Sequence, residues 1–91
     1  MINQKIKDAI ENGYLDDSVC VNPDGYFVTV EVKLRIPKSF MHQVHTRQIE
    51  KGLKKYGKTI DDCEPDEHPW ELMAIEEMID LLAYYFKNKQ Q

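Results

Sequence analysis

Tyr26-Phe27-Val28-Thr29-Val30-Glu31-Val32-Lys33-Leu34-Arg35-Ile36 decides the fold class. Val28, Val30, Val32, Leu34 and Ile36 point one way, and Thr29, Glu31, Lys33 and Arg35 point the other. Period-two alternation is the signature of a strand with one face on a core and one in water. Upstream, Ser18-Val19-Cys20-Val21 is rich in β-branched residues and is followed by Asn22-Pro23-Asp24-Gly25. Pro at the second position and Gly at the fourth suit a type I turn, so the spacing predicts an antiparallel hairpin over 18–36.

Helices flank the hairpin. Ile2, Ile6 and Ile10 recur every four residues, and Asn12-Gly13 follows, which predicts a short helix over 1–12. Pro37 ends the strand, and Ser39 is a candidate N-cap for a helix over 39–56, stopped by Gly57. Met41, His42, His45, Ile49, Leu53 and Tyr56 share one face of it. Asp66 is the expected cap of a last helix over 66–87, with Pro69 in its first turn. Leu72, Ile75, Ile79, Leu82 and Phe86 form one apolar stripe there, and Trp70, Met78, Leu81 and Tyr85 a second. The expectation is one α+β domain over 1–91, in the order α-β-β-α-α, with a two-stranded antiparallel hairpin packed against helices.

At 91 residues and 42% apolar content, the chain can bury one modest core. A formal charge of −4 gives no overall attraction to nucleic acid or to anionic membrane. No apolar run reaches the roughly 20 residues of a membrane span, and the start shows no secretory h-region. Cys20 and Cys63 form no CxxC pair and read as reduced thiols. The cytoplasm is the expected location.

Chemistry concentrates on the last helix. Glu76, Glu77 and Asp80 fall within an arc of about 100°, beside Met73 and Tyr84. Clustered carboxylates need water, basic partners or a cation, and Mg²⁺ takes one or two carboxylates plus substrate phosphates. The bland alternative is a solvated face. Arg47, Lys51, Lys54, Lys55 and Lys58 gather before the acidic loop, as phosphate ligands or as an ordinary wet helix face. His42 and His45 with Cys63 or His68 offer zinc-type ligands at undiagnostic spacing. The alternative is two partly buried histidines beside Ile49 and Leu53. Cys20 is expected to face the core, and Cys63 to have its thiol pKa raised by nearby acids. There is no GxxxxGK[ST] or GxGxxG loop.

Lys55-Tyr56-Gly57-Lys58-Thr59-Ile60-Asp61-Asp62, followed by Glu76-Glu77-Met78-Ile79-Asp80-Leu81-Leu82-Ala83-Tyr84, resembles small phage proteins with a KYG-type turn and an EExxD helix. These are similar to the all-α nucleotide pyrophosphatases of the MazG-like kind. The resemblance spans about residues 48–86. It implies Mg²⁺ on Glu77 and Asp80 with Glu76 adjacent and Glu50 assisting. It also implies a nucleotide or nucleotide-derived ligand, and a host-cell cytoplasmic location if the chain is phage-encoded. Arg47, Lys54 and Lys55 would then neutralise phosphate, and Tyr84, Trp70 and His45 are candidate ligand contacts. The chain departs from that family in its hairpin and in lacking an upstream ExxE pair: Glu50 is the only acid between Pro37 and Gly57. Binding without turnover therefore fits as well as hydrolysis. The other reading is an acidic inhibitor of a host protein, its carboxylates standing in for phosphate. A homodimer is expected under either, to cover apolar surface.

Overall fold

The computed structural model describes residues 1–90 and is α+β, with three α-helices and one antiparallel sheet. The elements are α1 (Ile2–Asn12), β1 (Tyr14–Leu15), β2 (Val19–Pro23), β3 (Val28–Val32), α2 (Lys38–Tyr56), a 3-10 turn (Ile60–Asp62) and α3 (Trp70–Lys89). The chain divides into two compact units. One is Met1–Leu34 together with the chain from Met73 onward; the other is Arg35–Leu72. Among the described residues, no helix is long and apolar enough to cross a membrane.

The first unit holds the core: Ile6, Ala9, Val19, Val21, Leu82 and Phe86 are all buried. The sheet order is β1-β2-β3, one strand more than the predicted hairpin. The added strand pairs Tyr14 with Val21 and Leu15 with Cys20. Two residues are too few to show a period. Asp16 makes this strand possible, because its Oδ1 accepts from Ser18 N at 2.8 Å and Val19 N at 2.7 Å and turns the chain into β2.

The phase of the alternation is as expected, but its limits are not. Val19 faces Val32 and Val21 faces Val30 across the ladder, with all four side chains on the core side. Cys20, opposite Glu31, lies between two buried neighbours and so points away from the core, contrary to expectation. The hairpin turn spans Asp24–Phe27, two residues later than predicted. Asp24 N donates to Phe27 O at 2.8 Å, and Phe27 N donates to Asp24 Oδ1 at 3.2 Å. Pro23 ends β2, where a missing N–H costs least, and Asp24 organises the turn in its place. Leu34 and Ile36 lie beyond β3 and are exposed.

Helix α1 packs through Ile2, Ile6 and Ala9, leaving Ile10 exposed. The buried face follows the i+3 step from Ile6, where the small Ala9 lets the helix approach β2 closely. Gly13 continues the chain at φ 87°, its N–H on Ala9 O at 2.8 Å. A Cβ there would sit 3.3 Å from Val21 O, so glycine serves both the positive φ and the close approach. From α3, Leu82 and Phe86 enter the core, and Tyr14 meets the Phe86 ring edge-on at 5.1 Å.

The second unit has no buried residue among 35–72. Pro37, not Ser39, precedes α2, since its fixed φ of −55° suits the helix entrance. His42 and His45 are exposed, which corrects the partly buried reading: along α2 only Val44 and Gly52 are half-buried. Gly57 ends the helix in the left-handed region, its N–H on Leu53 O at 2.9 Å. Helix α3 starts at Trp70 rather than Asp66, because Pro69 disfavours helical backbone at His68. Asp66 lies instead within a turn closed by Glu67 N on Glu64 O at 3.1 Å.

Candidate functional site

Glu76, Glu77 and Asp80 project from the middle of α3 and are exposed. Residues three and four apart on a helix are neighbours, so Asp80 sits one turn from both glutamates. None of the three makes an ion pair or a side-chain hydrogen bond among the described residues. Tyr84, one turn beyond Asp80, is exposed as well and belongs to the same arc, not to the core.

Glu50 lies on α2, in the other unit. With His42, Gln43, Thr46 and Arg47 it lines a shallow depression along that helix. Arg47, Lys51 and Lys54 recur at i, i+4 and i+7, giving α2 an exposed basic stripe with no ion pair among the described residues. Lys55 Nζ lies 5.2 Å from the centre of the Tyr56 ring. Among the described residues no three His, Cys, Asp or Glu side chains are grouped so as to hold a metal ion. His42, His45, Cys63 and His68 thus form no zinc-type cluster. The α3 carboxylates offer a side-by-side set, not an enclosing cage.

The KYG turn leads into a braced loop. Lys58 Nζ lies 2.7 Å from Glu67 Oε1, spanning nine residues. The hydrogen bond from Lys58 lowers the Glu67 carboxyl pKa, and Glu67 raises that of Lys58. A hydrogen bond to Glu67, then desolvation, pushes the Cys63 thiol up, the direction expected from its acidic surroundings. Cys63 Sγ also lies 3.7 Å from Thr59 O. Trp70 is half-buried, its Nε1 donating to Glu64 O at 3.3 Å, and His68 packs edge-on to its ring at 5.1 Å. Trp70 therefore closes this loop, while His45 stands exposed on α2.

The most strongly perturbed group was missed in the sequence. Asp16 Oδ2 accepts from the Tyr85 hydroxyl and from the Tyr14 hydroxyl at 3.0 Å. With the two backbone donors, these hold its carboxyl well below the usual range, Tyr85 contributing most. Burial first, then Asp16, raises the Tyr14 pKa. The Asp16-Asp17-Ser18 run is a turn signal, but the partner 69 residues away leaves none. With four donors on one carboxylate, Asp16 ties α3 to the sheet and is a structural group.

Comparison with known proteins returns no match: no family model fits the sequence, and no curated protein or solved structure is significantly similar to it.

Proposed function

We propose that the chain binds a phosphate-bearing nucleotide or nucleotide-derived signal through Mg²⁺ on the α3 carboxylates. The observation that carries this reading is the exposed arc of Glu76, Glu77 and Asp80 without a counter-charge among the described residues. Like charges one turn apart repel one another, and a divalent cation relieves that repulsion. Glu77 and Asp80 supply the one or two carboxylates that Mg²⁺ takes alongside phosphate oxygens. The resemblance of the KYG turn and EExxD helix to MazG-like pyrophosphatases supports the same assignment. Tyr84, on the same arc of α3, is the candidate base or ribose contact. The missing upstream acidic pair favours retention of the ligand over its hydrolysis.

Thermal unfolding against nucleoside triphosphates, deoxynucleotides and cyclic dinucleotides, each with Mg²⁺ and with chelator, tests the reading. A ligand-specific rise of several degrees that needs Mg²⁺ and vanishes in Asp80→Ala is expected. A rise that survives in folded Asp80→Ala refutes the metal role. No rise with any ligand refutes nucleotide binding and leaves the acidic arc as a surface for a basic host protein.

A further inference from the structure

The sheet has one blunted edge and one open edge. At one side β1 is only two residues long, while β3 at the other is five residues of regular ladder without a bulge. Lys33 N donates to Ser18 O at 2.7 Å, and Asp24 N donates to Phe27 O at 2.8 Å. Hydrogen-bonded and non-hydrogen-bonded pairs alternate along an antiparallel ladder. Thr29 and Glu31 therefore turn their N–H and C=O groups to β2, and Val28, Val30 and Val32 turn theirs outward. Those outward groups have no hydrogen-bond partner among the described residues. Extended backbone is what completes such an edge. Among the described residues the only other strands, β1 and β2, already lie on the opposite side of β3. No proline interrupts 28–36, and the period-two alternation runs past the end of β3 to Ile36.

We infer that β3 of a second copy of this chain pairs antiparallel with this edge about a two-fold axis through Val32, giving one sheet in the order β1-β2-β3-β3-β2-β1. Charge selects both the occupant and the register. Glu31 and Lys33 stand exposed on the wet face and make no ion pair among the described residues. Outward-turned residues must meet outward-turned residues, so the axis can pass through Val30, Glu31, Val32 or Lys33. With Glu31 or Lys33 on the axis, that residue meets its own copy and like charges lie directly opposite. With Val30 on the axis, Glu31 faces Thr29 and Lys33 faces Phe27, and both charges stay unmatched. With Val32 on the axis, Glu31 of each copy faces Lys33 of the other, in a non-hydrogen-bonded pair whose Cα atoms lie about 4.5 Å apart. Val30 then faces Leu34, which is 50% exposed in the single chain. Val32 is also the midpoint of the run 28–36, so this register matches the whole alternation with itself. The two-fold uses the open edge of both copies and closes the assembly at two chains. This inference is independent of the nucleotide reading.

Sedimentation velocity over a wide concentration range tests it, with isotope-filtered NOE spectra on mixed labelled and unlabelled wild-type chains. The expected species has twice the 10.7 kDa chain mass. The expected interchain NOE joins the α-protons of Glu31 and Lys33; a register centred on Val30 would instead join Glu31 to Thr29. Glu31→Lys and Lys33→Glu each set like charges opposite one another twice per dimer, so each should raise the dissociation constant by about tenfold or more. Mixing the two variants restores opposite charges at both facing positions, so the mixture should associate where neither variant does alone. Both positions are exposed, and circular dichroism checks that each variant is folded. A monomer at every concentration overturns the inference and leaves the edge to a strand of another protein. A dimer lacking the NOE between Glu31 and Lys33, or a mixture of folded variants that associates no better than each alone, overturns it as well.

Discussion

Leu82 and Ile75 are two aliphatic residues on one side of α3, one 2% and the other 47% exposed. Truncating each to alanine separates a residue inside the core from one beyond its edge. Buried Leu→Ala changes remove transfer energy and leave a cavity, so Leu82→Ala should cost about 3 kcal/mol. The whole chain has about 5–13 kcal/mol at its length, and six buried residues place it toward the lower end. At roughly 4–8 °C per kcal/mol, the melting temperature should fall by about 12–24 °C. Ile75→Ala opens no enclosed cavity and gives up about half of its transfer term, so its cost is about 1 kcal/mol and its shift about 4–8 °C. Thermal and urea unfolding followed by circular dichroism at low protein concentration measures both. Equal losses at the two positions under dilute conditions would refute the placement of the core edge between Ile79 and Leu82.

Three further outcomes follow from the local chemistry. The Asp16 carboxyl has a folded pKa below its unfolded value near 3.9. Its stabilisation is therefore complete above about pH 4 and is lost as pH falls toward the depressed native value. Asp16→Asn should be clearly less stable than wild type at neutral pH, with the gap narrowing in acid unfolding titrations; a pH-independent gap would contradict the role of its charge. Gly57, at φ 75°, should resist substitution: Gly57→Ala should cost about 1 kcal/mol in urea unfolding, while the same change at Gly52, within α2 and with open space at its Cβ, should be neutral or stabilising. Glu67→Gln removes the carboxylate that raises the Cys63 thiol pKa, so Cys63 alkylation by iodoacetamide at mildly alkaline pH should accelerate. An unchanged rate, read at Cys63 by peptide mass spectrometry, would show that Glu67 does not control the thiol.

What was legible in the sequence was periodic or punctuated. The valines of β3 announced both their strand and their inward face, and Gly13 and Gly57 closed the helices where their positive φ is needed. What escaped had no period or depended on distant residues. Strand β1 is two residues long, and its place is fixed by an Asp16 carboxylate whose strongest donor comes from the far end of the chain. The shift of the hairpin turn came from ranking Pro23 above Asp24, although both are turn residues and only Asp24 has a side chain that can accept the closing N–H. At the candidate site the sequence placed Glu76, Glu77, Asp80 and Tyr84 on one arc of α3, because helical spacing alone determines that. It misplaced the histidines of α2 for a related reason. Periodicity identifies the apolar face of a helix but not what covers it, and the face of Ile49 and Leu53 meets no buried surface in its own unit.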